Sequence, residues 1–309
     1  MTPFRLIDAR SAPEAVALLR AHGPRARVIA AGADLLELYK EGIAGPALQS
    51  PEVLVNLATV PELARLAWAD DGLHLGAMAR LSQLRRFAGA PPMLHEAIDH
   101  IASPQLRARS TLGGNLLQRP RCLYFRHPDI SCFKKGGQGC PAAAGPAEAY
   151  PGALFGGACH AGHPSDLAPV LLALDAQARI AGPDGERRVP LARLYDGAAD
   201  NPQGETVLAP DDLLVALVVP RWPARQAYEK VAPRAANEFA WASAAVTIDE
   251  RGAVRIALGG IAPGPLLLPA GAGLEWLEGA RPPRAGAHRL PFARLALEQA
   301  LRRARASHA

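Results

Sequence analysis

Apolar and polar positions along the chain alternate with two different periods, and the changes of period divide it into elements. Ser11-Ala12-Pro13-Glu14 has the form of a capping box before a helical run at residues 15–21, which Gly23 stops. Val28-Ile29-Ala30-Ala31 is a short apolar strand that leads directly into Gly32 and a helix over residues 33–39. A second strand follows at 53–57. Residues 66–69 and 73–75 flank Asp70-Asp71-Gly72 as the arms of a hairpin. The helical period returns at 93–101, whereas 103–117 is polar and glycine-bearing and predicts turns.

Both periods vanish between Gln118 and Gly162, where proline, glycine and every cysteine of the chain concentrate. A structureless stretch of this length inside a compact domain is either functional or disordered. A bound cluster would supply the order that side-chain packing does not. Pattern resumes with an apolar helix at 167–174, Arg179-Ile180, and a Pro183-Asp184-Gly185 turn. A strong β run at 213–219 ends at Pro220, and 220–226 is a candidate boundary. Beyond it, 241–248 and 254–258 flank Glu250-Arg251-Gly252 as an antiparallel hairpin, and a helix at 295–305 closes the chain. There is no internal repeat. Segregated hairpins and helices of this kind predict an α+β fold.

At 309 residues the chain can hold about two domains with a core each. A hydrophobic content of 49% and a charged content of 20% fit a globular protein. The formal charge is +5, and all 34 basic residues are arginine except Lys40, Lys134, Lys135 and Lys230. Aromatics make up only 5% and interleave with no basic run, which argues against nucleic-acid binding. An arginine-rich surface that docks acidic partner subunits is the better expectation. No apolar run approaches the length of a membrane span, and Met1-Thr2-Pro3-Phe4-Arg5 lacks the plan of a signal peptide.

The strand–glycine–helix junction at 28–36 presents outward-pointing amides of the kind that attract phosphate, though glycine also punctuates chains without function. The G-x-G-x-x-G fingerprint is absent there, which argues against a Rossmann NAD site. In Thr111-Leu112-Gly113-Gly114-Asn115 the paired glycines either let backbone approach a bulky anion or make a plain turn. Asp166 stands before an apolar helix, where a capping role is ordinary. Lys230 lies in a strand-like stretch, where a solvated lysine is the default.

Cys122, Cys132, Cys140 and Cys159 are spaced C-x9-C-x7-C-x18-C, without the C-x-x-C pairs of zinc knuckles and ferredoxins. Four thiolates suit a tetrahedral zinc or a four-cysteine iron–sulfur cluster equally, and such ligands fit synthesis in a reducing compartment. His127, His160 or His163 could replace one of them, and four buried, unliganded cysteines are the remaining alternative.

Taken together, these segments resemble the FAD-binding subunit of the molybdenum hydroxylases, the xanthine dehydrogenase and aldehyde oxidoreductase family. The resemblance is carried by Ala30-Ala31-Gly32-Ala33-Asp34-Leu35-Leu36, by Gln105 through Asn115, by Pro164-Ser165-Asp166-Leu167, and by Leu258-Gly259-Gly260-Ile261-Ala262-Pro263, in that order. It implies a two-part FAD-binding domain of the vanillyl-alcohol oxidase (PCMH) type over residues 1–222, with the cysteine-bearing insertion at 118–162. A smaller α+β C-terminal domain would cover 223–309. The insertion resembles that of the periplasmic aldehyde oxidoreductase branch, whose flavin subunit carries an extra [4Fe–4S] cluster; a related insertion occurs in hydroxybenzoyl-CoA reductases. On that resemblance the four cysteines are cluster ligands rather than zinc ligands.

For FAD the resemblance implies that the backbone of Val28, Ile29, Ala30, Ala31, Gly32, Ala33, Asp34 and Leu35 wraps the pyrophosphate. Thr111, Leu112, Gly113, Gly114 and Asn115 would form a second wall, and Asp166 would bond the flavin's polyol or adenosine side. Leu214 and Lys230 would border the isoalloxazine ring. Ala31 stands where the family has glycine and Ala33 where it has threonine, which restricts positive φ and removes a hydroxyl.

The implied protein is an oxidoreductase subunit with no catalytic side chain of its own, holding FAD and a [4Fe–4S] cluster. It would work in a heterotrimer with a molybdopterin-binding large subunit and a [2Fe–2S] small subunit, passing electrons to a terminal acceptor. Its compartment would be the cytoplasm, or the periplasm if a signal-bearing partner carries it there. A scaffold with structural zinc and no flavin is the alternative. A stand-alone oxidase of the vanillyl-alcohol type fits less well, because the chain lacks a long cap domain.

Overall fold

The computed structural model describes residues 2–144, 152–280 and 286–307. A three-stranded parallel sheet comes first, with β1 (Arg5–Asp8), β2 (Ala26–Ile29) and β3 (Val53–Asn56) in the order β1-β3-β2. The helix between β1 and β2 runs over Ala12–His22 and so begins three residues before the periodic run. Its start is set by Ser11, whose Oγ accepts from the Glu14 amide at 3.2 Å, while Glu14 reaches back to the Arg10 amide at 2.7 Å. Ala15, Val16 and Leu19 of this helix share a core with Val53 and Val55 of β3. The strand expected at 28–31 ends at Ile29, and the following helix is Leu35–Lys40, leaving residues 30–34 as a turn.

The second sheet is antiparallel: β4 (Leu66–Ala69), β5 (Gly72–Gly76), β6 (Gln177–Gly182), β7 (Gly185–Pro190) and β8 (Leu213–Val219), in the order β4-β5-β8-β6-β7. The hairpin at Asp70-Asp71 closes with Ala69 opposite Gly72. A Cβ on Gly72, at φ +132°, would come within 2.3 Å of the Val219 carbonyl oxygen, so this position needs glycine. Every residue of β8 is buried, as its unbroken apolar run demands of a strand covered on both faces. Between these strands, residues 103–117 hold two short helices, Pro104–Arg107 and Leu112–Leu116, rather than turns alone. Ser103 and Thr111 cap them, accepting from the amides of Leu106 and Gly114.

The third sheet is also antiparallel, with β9 (Arg225–Val231), β10 (Ala242–Ile248), β11 (Val254–Gly259) and β12 (Leu266–Leu267) in the order β12-β11-β10-β9. The long helix Leu290–Ala306 covers one face, burying Ala293, Ala296, Leu297, Ala300, Leu301 and Ala304. On the other side lies the helix Leu167–Ala173, whose seven residues are all buried, as a helix apolar all round must be. Its last carbonyls are satisfied from the third sheet: Thr247 donates to Ala173 and Arg255 to Leu172. The architecture is α+β, as the pattern predicted.

Candidate cofactor sites

The turn at residues 30–34 leaves a run of backbone amides without protein partners among the described residues. Gly32 takes φ +71°, and Ala31 and Ala33 are absent from the described non-glycine residues with positive φ, so the alanine in the usual glycine place costs no strain. The Ile29 carbonyl accepts the Leu57 amide and ends the ladder. Among the described residues the amides of Ala31, Gly32 and Ala33 find no protein acceptor. Successive unpartnered amides on a half-exposed turn have the geometry that suits a phosphate. Val28, Ile29, Ala30 and Leu35 flank them, half-buried, and Asp34 faces away from the amides toward the insertion.

In Thr111–Asn115 most amides are already bonded within the chain. The Leu112 and Gly113 amides donate to the carbonyls of Ala79 and Ala77, and the Gly114 amide to Thr111 Oγ1. Gly113 is tight against Ala77, whereas a Cβ on Gly114 would meet only Thr111 Oγ1 within 4 Å. This segment can therefore offer a ligand the bare surface of Gly114, not an array of amides. Asn115 Oδ1 accepts from Ser165 Oγ at 2.7 Å, which ties the segment to the start of the helix Leu167–Ala173.

Asp166 and Lys230 depart from their ordinary local roles of helix cap and solvated lysine. Asp166 makes no capping bond; Ser165 caps instead, accepting from the Ala168 amide. The Asp166 carboxylate accepts from Tyr228 Oη at 2.6 Å and from Lys230 Nζ at 2.8 Å. Both charged side chains are about 95% buried, at 5% and 4% exposure, so Lys230 is not solvated. Lys230 also donates to the carbonyls of His100 and Glu238. Burial and the Asp166 anion push the Tyr228 phenol well up, so it stays a donor. Leu214 is buried in the central core.

The four cysteines, scattered over the insertion, converge. All four line one small apolar hollow with Tyr124, Phe125, Phe133 and Ala161. Cys122, Cys132 and Cys159 are buried and Cys140 is partly exposed. Burial pushes the Cys122 thiol up to about 11, against backbone N–H groups of Phe125 and Tyr124 that favour its thiolate. The Ala161 amide likewise donates to Cys159 Sγ at 3.4 Å. Lys134, also lining the hollow, is buried and paired with Glu205 at 2.8 Å. Among the described residues no three His, Cys, Asp or Glu side chains converge tightly enough for a single metal ion.

None of the three histidines lines the hollow. His127 accepts from the Asp129 amide, and His160 Nδ1 is buried without a partner among the described residues. His163 packs edge-on against Tyr195 at 5.1 Å. Burial lowers its imidazole to about 4. The unfolded chain takes up this proton near pH 6.5 and the native chain only near pH 4, so the stability is complete above 6.5 and is lost as pH falls toward 4. Urea unfolding should show about 2 kcal/mol lost between pH 7 and pH 5. His163→Gln should remove most of that difference.

Sequence reasoning missed Tyr228, Glu205 and the trio Arg119, Arg121 and Arg126. The trio carried a visible signal, three arginines within eight residues around the first cysteine. Free amides on such a turn suit a phosphate-bearing ligand. Residues 2–222 match the FAD binding domain in molybdopterin dehydrogenase. The chain belongs to that family, the FAD-binding subunits of molybdenum hydroxylase complexes.

Among relatives, the aldehyde oxidoreductase FAD-binding subunit PaoB of Escherichia coli is 36% identical over 81% of this chain and 79% of its own length. The carbon monoxide dehydrogenase medium chain of Hydrogenophaga pseudoflava is 28% identical over 82% of this chain and 73% of its own. The crystal structure of a cyanide-inactivated Cu,Mo-CO dehydrogenase superposes with a TM-score of 0.72 at 26% identity, covering 99% of this chain and 100% of that one.

Proposed function

We propose that the chain is the flavin subunit of an aldehyde oxidoreductase-type molybdenum hydroxylase and that its cysteines hold a [4Fe–4S] cluster. The cluster reading is carried by one observation, the convergence of all four thiols on a single hollow with backbone N–H groups directed at two of the sulfurs. For FAD, the amides of Ala31, Gly32 and Ala33 take the pyrophosphate and Gly114 supplies an open second wall.

Bound FAD supplies one- and two-electron chemistry, and the cluster one-electron chemistry. The chain's own residues bind and orient these groups and oxidise no organic substrate. Substrate oxidation belongs to a molybdopterin-binding large subunit, with a [2Fe–2S] small subunit completing a heterotrimer that delivers electrons to a terminal acceptor. Among the described residues no helix is long and apolar enough to cross a membrane. Assembly takes place in the cytoplasm, and a signal-bearing partner would carry the folded complex to the periplasm.

The test is the absorption spectrum of anaerobically purified protein with flavin, iron and zinc quantified in one sample. One FAD and about four irons per chain are expected. Colourless, zinc-loaded protein that takes up no FAD would instead leave a scaffold.

A further inference from the structure

Asp34 joins the phosphate turn to the cysteine insertion. Its carboxylate accepts from Arg126 Nη2 at 2.6 Å and from the Arg119 amide at 2.8 Å, and it pairs with Arg121 Nη2 at 2.9 Å. An aspartate at the N-cap position ordinarily bonds the first amides of its own helix. Asp34 holds that position for Leu35–Lys40 yet makes no such bond. Both of its oxygens are given to the insertion.

The donors surround the first cysteine. Arg119, Arg121 and Arg126 all lie within four residues of Cys122. Arg126 also folds the segment on itself, its amide donating to the Cys122 carbonyl at 2.9 Å and its Nε to the Pro120 carbonyl at 3.0 Å. Its side chain is only 11% exposed, so this is a geometrically fixed clamp and not a loose surface pair. The helix following the turn makes a second connection, placing Leu38 in one apolar cluster with Cys122, Phe125, Cys132 and Cys159. Asp34 thus sits one peptide from the free amides of Ala31–Ala33 and one hydrogen bond from the segment that carries a cluster ligand.

We infer that Asp34 is a positioning residue through which occupancy of the four-cysteine site sets the affinity of the neighbouring turn for FAD. Metal held at Cys122 fixes residues 119–126, and these fix Asp34 and pre-order the amides, lowering the ordering cost of binding. The coupling is reciprocal, so bound FAD also retards loss of the metal. This inference rests on the reading of FAD and cluster given above.

The test uses the full chain, titrated with FAD by fluorescence quenching before and after anaerobic removal of iron with a chelator. Iron content and circular dichroism are followed in each sample. Iron removal is expected to weaken FAD binding about tenfold, within the usual range of such couplings. Asp34→Asn and Arg126→Met should bind FAD about as weakly as iron-free wild type and respond to iron removal less than about twofold. Glu37→Gln, an exposed carboxylate touching the same arginines, should keep the wild-type response.

Equal FAD affinity in iron-loaded and iron-free wild type overturns the coupling. So does a full iron response in Asp34→Asn, or in Arg126→Met should the first variant misfold. A chain that takes up no iron or no FAD overturns the functional reading as well, whereas one that loads both without mutual dependence overturns the coupling alone.

Discussion

Lys230→Met should destabilise the protein by about 3–5 kcal/mol in equilibrium urea unfolding at pH 7, the range for breaking a buried ion pair from one side. Lys230 donates at once to Asp166 and to the carbonyls of His100 and Glu238, so its removal strands three acceptors. Asp166 would keep only the Tyr228 hydroxyl while remaining almost wholly out of water. The double variant Lys230→Met, Asp166→Leu should recover much of the loss, because it removes the uncompensated charge together with its desolvation cost. A loss below about 1 kcal/mol in the single variant would place the pair among ordinary surface bridges and sink this account.

The second large effect is expected at Cys132. On the proposed cluster reading, replacing it with serine should take the iron content from about four per chain to less than one, since a cubane needs its four thiolates. It should also lower the melting temperature by about 5 °C or more, because a tightly bound group stabilises only the native state. The reason is local: the insertion contains just one short 3-10 turn, Phe133–Lys135, and one four-residue helix, Pro141–Ala144, among its described residues. Its apolar cluster is small and is partly made of the cysteines themselves. Loss of iron with an unchanged melting temperature would mean that the cluster does not order the insertion.

Much of this structure is legible in the chain because single elements there obey a single rule. The run Leu213–Val219 reads as a covered strand and is one, residue for residue. The Ser11 cap and the Asp70-Asp71 hairpin follow from short-range chemistry that no distant residue overrides. The turn around Gly32 was visible as strand, glycine and helix, although its strand stops at Ile29. What escaped notice depends on partners far apart in sequence. Asp166 has every local mark of a helix cap, yet its partners are 62 and 64 residues on. Lys230 looks solvated within Tyr228-Glu229-Lys230-Val231 because nothing nearby shows that Asp166 faces it. The cysteine spacing, similarly, says nothing of convergence; that comes from the tertiary fold of an insertion without a period.

The helix Leu167–Ala173 has no solvent face, and both the central core and the last sheet close on it. A shared internal helix ties the central core to the terminal sheet, so neither can shift without disturbing the packing of the other.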